Sequence, residues 1–504
     1  MIVMKIKRFL SVLLALTLIV SSFLPTAAKS SGCDCGFSPV VYVAALGSAT
    51  LYLDAGTADE KIIFRPEQAD TLGLVGKLIL PIARLAVDKN YTAFGTGIAK
   101  ATTDLFGPLA MDENGNSNPR VTTKPTLPSD PTHGPNHDYY FGYDFRLDPF
   151  VVAQDLDAYI QHVKSLTGHS KVSFRASSLG GIIVMAYLEK YGTTELDKII
   201  FQCCPILGVG VAGDLFTKQV ELNNDALVRY GMQVLPRDAV GSVLSILIQS
   251  LDALGVFSAV LGFGDKLIDN MLDQLYDELL IPIFGRMPGL WALVPDVSYE
   301  QAKTIFLDSS ASQTLVNRLD DYHYNVQGKA DRLLNDALNS GVGIMILAGY
   351  NMQREPFVAS YLNQSDAVDD TIYNAPGVTC ALLNETLGDG YVQAVNDGHN
   401  HLSADGIIDA STCYLPENTW FAKDMLHSTP HEGHREMYAL FLTSGGNFNV
   451  HSDARFPQFL QDDATNKRLI PLVDYVPDDA LRIEDVFQFM LTFFQEFKLI
   501  LLAK

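Results

Sequence analysis

Positive charge is scarce in this sequence: 36 Lys and Arg stand against 58 Asp and Glu, a formal net charge of −22. A nucleic-acid binder needs a basic face, so that class is excluded. Electrostatic attachment to anionic lipid is excluded on the same ground. Such a balance suits a solvated, soluble surface. Cysteine is scarce too. Cys33, Cys35, Cys203, Cys204, Cys380 and Cys413 are all there are in 504 residues, too few for a disulfide scaffold. If any pair bridges, Cys380 with Cys413 is the one expected. Cys33-Asp34-Cys35 lacks the second ligand pair that a structural zinc site needs, and adjacent Cys203 and Cys204 read as the end of a buried strand. No internal repeat is evident.

What the chain does have is apolar mass. Hydrophobic residues make up 48% of it, enough to bury a substantial core, and the length predicts two or three domains or one large domain with insertions. At the start, Lys5, Lys7 and Arg8 precede an apolar run from Phe9 to Leu24, and Thr26-Ala27-Ala28 offers small residues for cleavage. This pattern predicts a signal peptide over residues 1–28 and a secreted protein. An uncleaved membrane anchor is the alternative. Ser30 stands where a lipoprotein signal carries an aliphatic residue, which argues against lipidation at Cys33.

Strand signals fall at residues 38–45, 61–64, 139–145, 171–175 and 198–203, and again from Gly341. Helices are expected at 69–87, from Asp148-Pro149 to Thr167 with Gly168 closing it, and at 182–191. Residues 107–137, rich in Pro, Asn, Asp and Gly, read as a long surface loop. Within it Asp112, Asn114 and Asn116 alternate as in a calcium loop. The rest of that pattern is missing, so a solvated turn is expected. Strands alternating with helices predict an α/β class with a mostly parallel sheet covered on both faces. The alternation stops between Gly208 and Ser340, where helix dominates. The domain reading is therefore a core in two parts, 29–207 and 341–450, a helical cap inserted over 208–340, and a helical extension over 451–504. Residues 243–263 in the cap are almost wholly apolar. Gln249 and Asp252 would be costly in lipid, so a buried or lid helix is expected there. Val486, Phe489, Phe493, Phe497 and Ile500 recur at helical spacing, for core packing or for docking on a lipid surface.

The chemistry centres on Lys171-Val-Ser-Phe-Arg-Ala176-Ser177-Ser178-Leu179-Gly180-Gly181. A strand enters, a serine sits at the turn and a helix leaves, which is the pattern of a nucleophile elbow. The serine must occupy a strained backbone position that lifts its hydroxyl above the sheet. The residues two before and two after it must be small, as Ala176 and Gly180 are. Ser177 as nucleophile would put Leu179 where a small residue is needed. The start of the following helix points backbone N–H groups at a developing oxyanion.

Two further stretches are Tyr143-Asp144-Phe145-Arg146-Leu147-Asp148-Pro149 and Val41-Tyr-Val-Ala44-Ala45-Leu46-Gly47-Ser48. Together with the elbow they resemble the lecithin:cholesterol acyltransferase-like lipases of the α/β-hydrolase superfamily. Phe145 stands in place of that family's Trp, and Ala44-Ala45 in place of its Pro-Gly. Arg286-Met-Pro-Gly-Leu-Trp-Ala-Leu-Val-Pro295 is similar to a segment common in these lipases before the last core strands. The resemblance implies an α/β-hydrolase core with an inserted cap, and Leu46 and Leu179 as the oxyanion-hole donors. It implies Asp405, in Asp405-Gly406-Ile407-Ile408, as the catalytic acid, with Asp389 the competitor. It implies His427, at the end of an extended segment, as the base, in the chain order Ser, acid, His. His427, His431 and His434 also raise a metal reading, but the Glu that helical zinc sites carry beside the first His is missing. The expected chemistry is acyl transfer through Ser178, Asp405 and His427 on a lipid or other ester, with no cofactor and no metal. A lipid surface is an expected contact for the cap or the C-terminal helix. A catalytically inactive lipid-binding protein on the same fold is the alternative.

Overall fold

The computed structural model describes residues 35–65, 106–220, 276–307, 312–354, 358–427 and 429–474. The expected signal peptide, Cys33, the helix at 69–87, the apolar stretch 243–263 and the C-terminal aromatic stripe lie outside the described residues. The strands in chain order are β1 (Val40–Val43), β2 (Leu51–Leu53), β3 (Lys61–Phe64), β4 (Val121–Thr122), β5 (Asp138–Phe141), β6 (Val172–Ser177), β7 (Leu196–Gln202), β8 (Gly343–Tyr350), β9 (Thr379–Cys380), β10 (Ile408–Asp409), β11 (Thr419–Lys423), β12 (Phe459–Asp463) and β13 (Arg468–Pro471). The named helices are α1 (Pro149–Thr167), α2 (Gly180–Tyr191), α3 (Gly210–Phe216), α4 (Asp296–Phe306), α5 (Gln313–Asn325), α6 (Ala330–Asn339) and α7 (Glu432–Thr443).

Eight strands form one sheet in the order β13-β12-β11-β8-β7-β6-β1-β5. Every neighbouring pair runs parallel except β12 with β13. The inner strands β1 and β8 are apolar along their length because both faces are covered. Alternate residues separate into two cores, as a side-chain period of two requires. Val41, Val43, Phe174, Phe201, Ile344 and Ile346 pack on one face with α1, α2 and α6. Val40, Ile200, Met345, Leu347 and Trp420 pack on the other with Met437 and Phe441 of α7. This is the fold class the sequence predicts, an α/β core with a mostly parallel sheet covered on both faces.

Local chemistry explains the helix limits. The Asp148 side chain accepts from Phe150 N, Pro149 takes the first helical position, and Gly168 closes α1 in the left-handed region at φ 74°. The expected strand at 139–145 stops at Phe141. Beyond it Asp144 turns back onto Arg146, accepting from its N, Nε and Nη2, the last at 2.6 Å. Two segments that the sequence marked separately are packed on each other here. A side-chain carbon at Gly289 would lie 2.0 Å from the Phe145 carbonyl oxygen, so only glycine lets Arg286–Pro295 close over Tyr143–Pro149.

The helices after β7 carry a second, smaller core. Phe216, Trp291, Tyr299, Phe306, Leu315 and Leu319 are buried together, with Phe216 stacked on Phe306 at 4.4 Å between ring centroids. α6 behaves differently from these. It packs on α2 and β8 and belongs to the sheet's own layer. Cys380 and Cys413, expected as the pair to bridge, sit in one small apolar cluster as thiols rather than as a disulfide. Asp112 caps its own loop through Asn114 N and Asn116 N, as a solvated turn does.

Arg146 is fully buried, and besides Asp144 it donates to Leu109 O and Ser117 Oγ, both at 2.9 Å. Arg146→Ala strands the Asp144 carboxylate and releases the loop at 107–117, and is expected to cost about 3–5 kcal/mol. The double substitution with Asp144→Ala should cost less than the single one. Chemical denaturation of the three variants checks both statements.

Candidate active site

The turn between β6 and α2 is tight because two glycines let the helix start under the sheet. A side-chain carbon at Gly180 would stand 2.1 Å from the Val43 carbonyl oxygen, and one at Gly181 2.4 Å from Cys204 Cβ. The turn leaves Ser178 at φ 53°, in the left-handed region that non-glycine residues avoid. Ser178 is 8% exposed at the sheet's carboxyl edge, and its N–H donates to Gln202 O at the end of β7. Ser177 remains within β6, so the strained position belongs to Ser178. Leu179 follows directly as the N-cap of α2. Leu46 lies on the loop leaving β1, the strand beside β6, in a turn closed by Ser48 N to Ala45 O. It is 44% exposed.

His427 leaves the same edge after β11. Its Nδ1 lies 2.9 Å from Asp366 Oδ2, and its backbone N–H donates to Asp366 O at 2.8 Å. An ionised carboxylate only accepts, so Nδ1 carries the proton and Nε2 is the basic nitrogen. Asp366 is itself held: Oδ1 accepts from Val368 N and Asp369 N at 3.1 and 2.8 Å. Asp369 adds a second carboxylate 3.8 Å from His427 Nδ1. Cys203, in the left-handed region at φ 47°, links the two halves of the site. It follows Gln202, which receives the Ser178 N–H, and its sulfur groups with Asp366 and His427, ligand atoms within 4.8 Å of one another. The Cys204 thiol is pushed well above its usual range by burial, so it stays protonated and is no rival nucleophile.

The acid expected from the sequence is elsewhere. Asp405 accepts from Ser403 Oγ at 2.7 Å, Lys423 Nζ at 2.9 Å and Tyr350 OH at 3.0 Å. Burial would raise its pKa, but these hydrogen bonds, from Ser403 first, hold it below the ordinary value. Asp389 is exposed on its loop. The carboxylate bonded to His427 is therefore Asp366, which the sequence reading did not single out. It also lies between Ser178 and His427 in chain order. The available signal was topological: Asp366 follows β8, whereas Asp405 follows the short hairpin strand β9.

His431 and His434 do not join His427. His431 Nε2 meets Asp462 Oδ1 at 2.6 Å. Each accepts a backbone N–H at Nδ1, from Gly433 and from His431 respectively. That fixes the protons on Nε2 and turns N–H groups, not lone pairs, towards Asp462, the wrong tautomers for a metal.

No protein-family model and no curated protein matches the chain. Among solved structures it is similar to the crystal structure of the Tle4–Tli4 complex, at 11% identity and a TM-score of 0.29, over 81% of this chain and 97% of that one. The fold class stands on the sheet order and the turn at Ser178.

Burial, and then the nearby His431, lower the His434 pKa from 6.5 to about 3. The folded chain thus keeps this imidazole neutral while the unfolded chain protonates it. Its contribution to stability is complete above pH 6.5 and is lost as pH falls towards about 3. Unfolding free energy measured across that window should fall with acidification, and less steeply in His434→Gln. Identical slopes in the two proteins would refute the assignment.

Proposed function

We propose that the chain is a serine acyl-transfer enzyme acting on ester bonds, with Ser178 as nucleophile, His427 as general base and Asp366 as the orienting carboxylate. One observation carries this reading: the left-handed Ser178 turn opens on the same sheet edge as the His427–Asp366 pair. In the proposed step His427 Nε2 takes the Ser178 hydroxyl proton as the oxygen attacks the ester carbonyl. Backbone N–H groups of Leu179 and Leu46 hold the oxyanion. Asp366, with Asp369 beside it, stabilises the imidazolium. His427 then protonates the leaving alcohol, and water or a second alcohol releases the acyl group from Ser178.

Lipid esters are the proposed substrate class. The support is the apolar stretch at 243–263, the aromatic cluster Phe216–Trp291–Phe306 among the helices after β7, and the motif resemblance to lecithin:cholesterol acyltransferase-like lipases. The basic and apolar N-terminal segment supports action outside the cell. A groove of about 780 Å³ beside β5, lined by Ser48, Tyr52, Tyr140 and Tyr159 among others, does not include Ser178 or His427, so it is not assigned to the acyl chain.

Fluorophosphonate labelling with ester turnover in parallel tests the proposal. Ser178→Ala should lose the label and about 10⁴–10⁶-fold in turnover. Asp366→Asn should lose about 10³–10⁴-fold. Asp405→Asn should keep turnover near that of the parent. A well-folded parent that takes no label sinks the catalytic reading, and equal losses at Asp366 and Asp405 sink the assignment of the acid. Turnover of short soluble esters with none of lipid emulsions would overturn the substrate class alone.

A further inference from the structure

At the opposite edge of the sheet, three side chains from distant parts of the chain converge. Cys35 precedes β1, His133 stands in the loop before β5, and His169 follows Gly168, the cap of α1. Cys35 Sγ lies 3.3 Å from His133 Nε2 and 3.6 Å from His169 Nε2. The two imidazole Nε2 atoms lie 3.0 Å apart. Sequence separations of 98 and 134 residues mean that local chain geometry does not force the three together.

These distances have a simple source. A tetrahedral zinc ion with Zn–N about 2.0–2.1 Å and Zn–S about 2.3 Å sets its ligand atoms roughly 3.3 Å (N to N) and 3.5 Å (N to S) apart. The observed triangle agrees to within about 0.3 Å. The tautomer is also the required one at His133. Its Nδ1 is 2.9 Å from Pro131 O. A carbonyl only accepts, so Nδ1 carries the proton and the Nε2 lone pair faces Cys35 and His169. A backbone carbonyl on the outer nitrogen is the usual second-shell partner of a metal-bound histidine. The Pro131 segment is itself pinned, since Tyr139 OH donates to Asp130 O and Thr132 O at 3.0 and 2.7 Å. This differs from His431 and His434, whose protons occupy Nε2.

We propose that Cys35, His133 and His169 bind one zinc ion, with the fourth position taken by water or a further donor. Thiolate plus imidazole selects zinc over calcium or magnesium, which need oxygen ligands. The ion ties the segment before β1 and the long loop before β5 to the amino end of β6. Ser178 is at the other end of β6, so the role is structural and is independent of the proposed catalysis. The sequence offered only half of the pattern, a Cys-Asp-Cys without a second ligand pair. The fold supplies that pair as His133 and His169.

The test uses the whole chain, with zinc and cobalt(II) as probes. After dialysis against micromolar zinc, the parent should retain about one ion per chain by mass spectrometric metal analysis. His169→Gln and Cys35→Ser should bind it at least about 10–100-fold more weakly in chelator competition, the loss that removal of a second-shell partner alone produces. The cobalt(II)-loaded parent should show a sulfur-to-metal charge-transfer band that Cys35→Ser abolishes and Cys413→Ser retains. Chelation should lower the melting temperature of the parent. A parent that binds no zinc, or a cobalt complex without a thiolate band, overturns the proposal whether or not the variants fold. So does a thiolate band that survives in Cys35→Ser. In either case the three side chains are a hydrogen-bonded cluster and nothing more.

Discussion

The missing side chain at Gly180 is the constraint on which the site depends. The turn after β6 passes so close to β1 that the Val43 carbonyl oxygen occupies the place of a Cβ, 2.1 Å from its ideal position, with the Ala44 carbonyl oxygen at 3.0 Å. This approach lets α2 begin directly beneath the neighbouring strand. It compresses the connection into Ser178 and Leu179 and leaves Ser178 in the left-handed region. A strained residue of this kind costs of order 1–3 kcal/mol and persists only where its surroundings over-determine it. Here they do: Gly181 is closed against Cys204, and Ser178 N is bonded to Gln202 O.

Parallel pairing then does the rest of the assembly. Because β6, β7, β8 and β11 run the same way, the loops that follow them emerge at one edge. Cys203, Asp366 and His427 meet there although they span much of the chain, and the Ser178 turn opens on the same edge. The loop after β8 that carries Asp366 has little regular structure, so buried charge holds it. Arg354 Nη1 and Asp370 Oδ2 pair at 2.7 Å, both fully buried. Asp370 also accepts from Gly210 N at 2.6 Å and Asn363 Nδ2 at 2.7 Å. Arg354 also reaches Ser360 Oγ, which bonds to Asp214 of α3. Burial raises the Asp370 pKa, and Arg354 is the largest influence opposing it. Removing either partner leaves an uncompensated charge, so the network fixes the loop's geometry more than it adds net stability. Asp366 sits four residues before Asp370 and inherits that rigidity.

The two edges of the sheet thus carry different chemistry. The carboxyl edge gathers a serine, an imidazole and two carboxylates in a partly buried setting. The amino edge gathers a thiol and two imidazoles. β1 and β6 lie side by side in the sheet and run from one edge to the other.

Much of this was legible in the residues. The limits of α1 follow from Asp148, Pro149 and Gly168. The parallel sheet follows from alternating apolar strands and amphipathic helices, and the elbow from Ser178 with Gly180 two residues on. All of these are signalled by residue type and spacing within a few residues, whatever distant contacts then complete them. The partner of His427 was not legible. Asp405-Gly406 offered a convincing local pattern, yet its carboxylate is claimed by Lys423, Tyr350 and Ser403. Asp366 reaches His427 across 61 residues, through a loop whose course is set by the buried Arg354–Asp370 pair and its contacts with α3 rather than by local spacing. The same holds for Cys35, His133 and His169. The sequence by itself determined which residues can do chemistry and how each is presented locally. The tertiary structure decided which of them meet, because parallel strands and buried charges bring together side chains that no local spacing connects.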